Sequence, residues 1–290
     1  MKIYQAITDA DIVPKFYNRT KRKLNIMISY AYRERNISKL VKDYRSKINS
    51  LALDSGAFSV FTGRKKINLK VYGVFLRKFG DLFDLCFTLD DRFDDAAHNY
   101  ENQLELEEVL EGKSWKPIPV VHDFDDPFQE FQMYVNHGHE YIALGSMGER
   151  QKIGDDVLER IRMEYPDIKI HMFGTLNLEM LHKHRPESAD SSGWAQKAGM
   201  GSIYYWRPSE NKSYSYDVGA VDSNTSKKNL VKDSPFYDEI KAFWMDKLHL
   251  TPEDVVSKSE AKYLCNLYFF TQLEEYLNSQ DSETKSEKKD

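Results

Sequence analysis

The sequence predicts an α/β protein built as a (β/α)8 TIM-like barrel, and three observations lead there. Short apolar runs alternate with longer stretches whose apolar positions recur every three or four residues, the pattern of repeated β-α units on a parallel sheet. Eight such runs precede Trp206, the number a barrel carries in about 250 residues, whereas an open doubly wound sheet usually has fewer. The residues that follow the runs are carboxylates, histidine and glycine, as at the rim where barrel enzymes place their chemistry.

Taken in order, the expected strands are 24–29, 51–53, 85–89, 118–121, 141–144, 169–173, 188–189 and 202–205. Helical periodicity fills the gaps at 33–47, 69–79, 99–111, 127–136, 155–164 and 176–184, and only the crossover around Trp194 is short. Residues 209–234 are polar and irregular and are expected to form a long surface loop. Segments 235–248 and 258–277 read as terminal helices. The expected organisation is a catalytic barrel over 1–250, a helical extension over 251–278 and a disordered, charged tail over 279–290.

Composition narrows the function classes. No apolar run approaches the ~20 residues of a membrane span, and Met1-Lys-Ile-Tyr-Gln5 lacks the apolar core of a signal peptide, so the expectation is a cytoplasmic protein without a membrane partner. The two cysteines, Cys86 and Cys265, support neither a disulfide framework nor a cysteine-based zinc site. A net charge of -5 argues against a uniformly basic coat for nucleic acid. Local basic faces remain: Arg22 and Lys23 belong to a cluster with Lys15, Arg19 and Lys21, interleaved with Phe16 and Tyr17, and Arg64-Lys65-Lys66 forms another. Arg207 and Lys227-Lys228 are further candidates for phosphate contact, against the plainer reading of solvated surface charge.

The strand ends carry Asp54-Ser-Gly, Asp90-Asp91, His122-Asp123, Gly145-Ser146-Met147-Gly148-Glu149, Gly174-Thr175 and Asp190-Ser-Ser. Each alone has a structural explanation as a helix cap or a turn. Six in succession describe a pocket lined by carboxylates, with glycines where backbone can approach a flat ligand and Phe58 able to cover it. A purine fits that inventory, because a carboxylate accepts paired hydrogen bonds from an N–H and an exocyclic amine. With two further carboxylates, the chemistry open without a metal or cofactor is displacement at a sugar anomeric carbon, one carboxylate as nucleophile and the other moving protons.

These motifs resemble those of the tRNA-guanine transglycosylases. Asp54-Ser-Gly-Ala-Phe58 resembles their Asp-Ser-Gly-Gly-Phe/Tyr motif, Ala143-Leu-Gly-Ser-Met-Gly-Glu149 their glycine-rich base-binding loop, and Phe173-Gly-Thr175 their Val-Gly-Thr. Asp190-Ser lies where the family carries its nucleophile. The resemblance runs from Ala52 to Trp194 in the family's order and implies a (β/α)8 barrel that exchanges guanine in a nucleic acid for a 7-deazaguanine. It implies Asp190 as nucleophile, Asp54 as general acid/base, and Asp90 with Gly145, Ser146, Met147, Gly148 and Glu149 as readers of the base, with Phe58 stacked on it. His122 and His171 stand where the family has a glutamine and a methionine, so the incoming base is left open. The family's structural zinc needs three cysteines that this chain lacks. Compact zinc-free relatives act on DNA in phages and bacterial modification systems, in the host cytoplasm where phage-encoded, and their Ser-x-Asp-Ser-x-x-Trp pattern is similar to Ser188–Trp194. DNA is therefore the expected polymer, tRNA the alternative, and a homodimer is compatible with the sequence.

Two readings compete. A metal-dependent barrel hydrolase would draw on Asp90, Asp91, His122, Asp123, Asp125, Asp126 and His171, with His137-Gly-His139 in addition. A catalytically inactive homologue would bind a deazaguanine or nucleic acid without reaction, but retention of both Asp54 and Asp190 speaks against it.

Overall fold

The computed structural model describes residues 1–125, 128–145, 153–175, 177–218 and 229–287. The chain forms two compact units, one of Met1–Ala10 with Asn25–Ser191, the other of Asp11–Leu24 with Ser192–Asp290.

The first unit holds an eight-stranded sheet: β1 (Lys2–Ile7), β2 (Leu24–Ser29), β3 (Ile48–Asp54), β4 (Leu85–Cys86), β5 (Val120–Val121), β6 (Tyr141–Leu144), β7 (Lys169–Met172) and β8 (Ser188–Ser191). Their order is β4-β3-β2-β1-β8-β7-β6-β5. β1 pairs in parallel with β2 and β8, and the pairs β3–β4, β5–β6, β6–β7 and β7–β8 are parallel too. The two ends of that order meet where Phe87 bridges Ile118 in parallel, with the Thr88 N–H on the Ile118 carbonyl at 3.0 Å and the Ile118 N–H on the Cys86 carbonyl at 2.8 Å. This is a (β/α)8 barrel, and closure leaves the sheet without a free edge.

Helices α1 (Ile12–Thr20), α2 (Arg33–Ser38), α3 (Ala57–Phe61), α4 (Leu69–Phe79), α5 (Ala96–Val109), α6 (Gln129–Asn136), α7 (Asp155–Glu164) and α8 (Leu178–His184) occupy the crossovers. Three start at a side chain that accepts from the first turn: Asn68 from the Val71 N–H, Asp95 from the His98 N–H, and Asn177 from the Glu179 and Met180 N–H groups. α7 opens with Asp155 and Asp156, where the helix dipole favours negative charge.

Side chains alternate along each strand, so residues two apart share the barrel interior. Tyr4, Met27, Ala52, Phe87, Val120 and Ala143 form one buried layer of that interior. Two positions further along their strands stand Asp54, His122 and Gly145. On β8, Asp190 follows Ser188 in the same way. The same alternation that fills the core thus delivers polar groups to the C-terminal rim.

The expected strand at 202–205 is not in this barrel. It belongs to β9 (Ser202–Arg207), which pairs antiparallel with β10 (Lys212–Asp217), so part of the expected loop at 209–234 is a hairpin. Asn211, at φ 50°, takes the left-handed conformation in its turn, which asparagine tolerates. The eighth barrel strand comes instead from β1, a segment that Lys2 and Gln5 interrupt. Gln5 is nevertheless buried, its amide donating to the Ile3 carbonyl at 3.0 Å. The expected 1–250 barrel is corrected accordingly: residues 11–24 and everything after Ser191 belong to the second unit.

That unit contains α1, the hairpin and four further helices, α9 (Gly193–Gly199), α10 (Tyr237–Leu248), α11 (Pro252–Ser257) and α12 (Ser259–Glu287). The hairpin lies on α12 through aromatic contacts, Tyr204 stacked on Phe269 at 5.0 Å and Trp206 tilted against Tyr276 at 4.9 Å. Asn266 of α12 is fully buried among backbone groups. It donates to the Trp194 and Ser202 carbonyls at 2.9 and 3.3 Å and accepts the Tyr204 N–H at 2.7 Å. Replacing Asn266 by alanine strands these groups away from water, so urea unfolding should show the second unit destabilised by about 2–4 kcal/mol. A loss below ~1 kcal/mol would mean that the hairpin does not depend on this tie.

Candidate active site

The rim at the C-terminal ends of the strands gathers three aspartates. Asp54 ends β3, followed by Gly56 at φ +91°. A side chain at Gly56 would sit 2.9 Å from both the Ala31 Cβ and the Ile67 Cδ1, so glycine is required there for backbone angle and space alike. Burial, and then the charge of Asp90, push the Asp54 carboxyl up to about 7, with a smaller push from Asp190. Hydrogen bonds from the Ser29 hydroxyl and the Gly56 N–H work in the opposite direction and are outweighed.

Asp90, after β4, is buried and bonded on both oxygens. His122 Nε2 lies 2.7 Å from Oδ2, and the Ser55 hydroxyl donates to Oδ1 at 3.4 Å. The other imidazole nitrogen, Nδ1, is 3.1 Å from the Gly145 carbonyl. Burial works against charge on His122, but the hydrogen bond to Asp90 and its negative charge prevail and hold the imidazole above its usual pKa. An imidazolium donating from both nitrogens satisfies both acceptors. Gly145 makes the fit tight, since a Cβ there would be 2.5 Å from the His122 Cε1. The carboxylate of buried Glu130 accepts the N–H groups of His122 and Asp123, each at 2.7 Å, and so fixes the turn after β5.

Asp190, on β8, is 6 % exposed. Its Oδ1 accepts the Gly174 N–H at 3.0 Å and stands 3.4 Å from His171 Nε2. Gly174 has φ +65° with open space where a side chain would be. His171 is fully buried; Nδ1 meets the Ser188 hydroxyl at 2.6 Å and the ring is hemmed in by Phe87 and Phe173. With no exposed surface, it lies beneath Asp190 as part of the floor of the rim.

Phe58 sits on α3 and is 61 % exposed. The ring that faces His122 is Phe93, stacked on it at 4.2 Å, with Phe61 stacked on Phe93 at 4.5 Å. Phe61 is itself 56 % exposed, so an aromatic column leads from the surface to the Asp90–His122 pair. Phe93 and Glu130 carry no strand-end signal in the sequence, and Ser29, the last residue of β2, closes a strand without the carboxylate, histidine or glycine that marks the other rim positions. A phenylalanine three residues past Asp90 was the one available signal. Ser146, Met147, Gly148 and Glu149 lie outside the described residues, as do Asp126, Lys227 and Lys228.

Among the described residues, the rim donors expected for a metal hydrolase, Asp90, Asp91, His122, Asp123, Asp125 and His171, form no three-ligand cluster. Asp90 and His122 hold each other, Asp91 is bound to His98 and Asn102 of α5, and Asp123 accepts the Asp125 N–H at 2.9 Å. The basic residues divide. Arg64 and Lys65 are exposed on the turn after α3, Lys65 lying 5.7 Å over the Tyr32 ring. Arg22 packs over Tyr268 at 4.6 Å and donates to Thr271 and Glu275, and Arg207 lies over Phe236 at 4.0 Å while bonding Glu210 and Glu239. Both guanidinium groups thus hold their own unit together; neighbouring Lys23 is exposed.

No protein-family model matches the chain, and no curated protein does. Among solved structures, one match is a Coccidioides immitis protein provisionally named a fructose-1,6-biphosphate aldolase, at 12% identity and TM-score 0.48, over 69% of this chain and 76% of that one. That likeness carries no argument about activity.

The raised Asp54 predicts a pH dependence of stability. The folded protein keeps a proton on Asp54 that the unfolded chain, at its ordinary 3.8, releases, so stability falls as pH rises from about 4 to about 7 and levels off above. Asp54→Asn removes this contribution. Its melting temperature relative to wild type should climb across that window and plateau above it; a flat difference would place Asp54 at an ordinary carboxylate pKa. In a separate test, Gly145→Ala should displace the imidazole at a cost of about 1–3 kcal/mol and return the His122 NMR titration toward its usual range.

Proposed function

We propose that the protein is a transglycosylase that exchanges guanine in a nucleic acid, DNA in the first instance, for a 7-deazaguanine. The observation that carries the proposal is the contrast between two carboxylates on one rim: Asp190, held in place by the Gly174 N–H, and Asp54, pushed up to about 7. Double displacement at a sugar needs that pair, one group fixed as nucleophile and one able to hold or release a proton near neutral pH.

In the first step an Asp190 oxygen bonds to the anomeric carbon of the target nucleoside as the bond to the guanine nitrogen breaks. The electron pair leaves with the base, and protonated Asp54 supplies the proton that neutralises it. In the second step the incoming base gives a ring N–H proton to the Asp54 carboxylate. Its nitrogen attacks the anomeric carbon and the ester to Asp190 breaks. Asp54 ends protonated as it began, Asp190 ends as carboxylate, and two inversions retain the sugar configuration. Nothing in this cycle calls on a metal or cofactor.

The surroundings suit a base held between the rim and a nucleic-acid chain. Asp90 offers a carboxylate for a base edge, and open space at Gly174 leaves room beside the nucleophile. Exposed Phe58 and Phe61, followed by Arg64, Lys65 and Lys66, combine stacking surface with cations on the element that leaves β3. DNA is preferred over tRNA on composition, since the cysteines of the tRNA enzymes' zinc subdomain are missing.

The test is to trap the covalent intermediate. Wild type incubated with guanine-containing DNA and quenched in denaturant should give a protein–polynucleotide adduct, and Asp190→Asn should give none. Labelled guanine should exchange into DNA and only weakly into tRNA. An adduct with tRNA alone moves the substrate to tRNA; no adduct with either polymer rejects the exchange reaction.

A further inference from the structure

The opposite rim of the barrel carries a second cluster of chemically capable side chains. Glu107 lies near the end of α5, and His137-Gly138-His139 forms the turn between α6 and β6, so all three stand at the N-terminal ends of the strands, away from the aspartates. Gly138, at φ +88°, reverses the chain and brings the two imidazoles together, ring centroids 5.5 Å apart. His137 Nε2 is 3.2 Å from Glu107 Oε2 and His139 Nε2 is 3.0 Å from Oε1. One donor atom from each of the three lies within 4.8 Å of the others.

We infer that Glu107, His137 and His139 form a binding site for a divalent transition-metal ion of the Zn2+ class, which ties α5 to the α6–β6 turn. Tetrahedral zinc sites with bonds of ~2.0–2.2 Å hold their donors about 3.3 Å apart. The two histidine–glutamate spacings are close to that before any ion enters. Two imidazoles and one carboxylate are a donor set that borderline ions such as Zn2+ prefer over Mg2+ or Ca2+, and water completes the fourth position. The outer contacts are those of a built site. The Gln103 amide donates to Glu107 Oε1 at 2.8 Å and to the Pro117 carbonyl at 3.1 Å, and the Tyr134 ring edge abuts buried His139.

Two groups oppose the ion: the Gln103 amide nitrogen lies 3.5 Å from His139 Nε2 and has to turn its N–H away from that atom, and Lys116 competes at Glu107. Lys116 Nζ lies 2.6 Å from Glu107 Oε2, where it serves as counter-ion to the carboxylate. Its side chain is half exposed, so it can swing into water when an ion takes its place. A purely hydrogen-bonded cluster would use Lys116 as a permanent partner, whereas a metal site would treat it as a competitor. That opposition decides between the two.

The experiment uses the full chain without a histidine tag, stripped with chelator and titrated with Zn2+ against a chromogenic competitor. One equivalent should bind, Co2+ should give the visible bands of a tetrahedral site, and melting should shift upward with Zn2+. His139→Ala and the more exposed His137→Gln should each weaken binding by more than the roughly 10- to 100-fold that losing an outer-shell partner costs. Lys116→Met should tighten it roughly two- to five-fold, the size of one surface ion pair. Absence of stoichiometric uptake by wild type, or uptake indifferent to both histidine substitutions, would overturn the site. Circular dichroism of His137→Gln separates lost binding from lost fold.

Discussion

Closure of the parallel sheet between Phe87 and Ile118 is the constraint on which the site depends. A closed ring of parallel strands leaves each strand one set of inward positions, two residues apart, and no freedom to slip, because a one-residue shift would turn the apolar layer of Tyr4, Met27, Ala52 and Val120 outward. With that layer fixed, Asp54 and His122 follow at the next inward position. Closure therefore brings titratable groups from sequence-distant strands together in a water-poor space, where each must be paired, hydrogen-bonded or neutralised.

The three aspartates meet that requirement differently. Asp90 is paired with an imidazolium, and Asp190 takes a backbone N–H and stands above His171. Beneath it a polar chain runs down the interior: the Ser188 hydroxyl meets His171 Nδ1 at 2.6 Å and the Tyr141 hydroxyl at 2.7 Å, so the floor under Asp190 is anchored two strands away. Among the described residues Asp54 has neither a cation nor enough donors to offset burial, and its neighbours are negative, so it holds its proton up to about pH 7. Unequal compensation gives chemically identical side chains different protonation behaviour, and the proposed exchange reaction draws on that difference.

Much of this was legible in the sequence where the information is local. The bounds of α4 and α7 follow from apolar spacing, and the rim residues follow from strand ends, because a strand's end and its next residue are neighbours in the chain. β1 was not legible: Lys2 and Gln5 break its apolar run, and only the partners β2 and β8 make it a strand. The Ser202 segment misled for the converse reason, since its apolar residues pack on α12 rather than in the barrel. Arg22 reads as a phosphate-binding cation until Tyr268 and Glu275, some 250 residues away, are seen to hold it. Phe93 and Glu130 act through His122 and carry no signal that a single sequence exposes.

The pairing of Asp90 with His122 alters what that carboxylate can read. A guanine-like edge presents an N–H and an amine side by side and is best met by two carboxylate oxygens with free lone pairs. Here Oδ2 is held by the imidazolium at 2.7 Å, while the longer 3.4 Å contact from Ser55 leaves Oδ1 the freer acceptor. When protonated, which the hydrogen bond to Asp90 favours, His122 also cancels much of the charge that would otherwise draw a donor. For an exchange reaction this favours a base that offers one strong donor to Oδ1 and lays its ring against the Phe93–His122 stack. Under the proposed reaction, selectivity would rest more on shape and stacking than on a bidentate edge, and His122 would bear on which base is accepted.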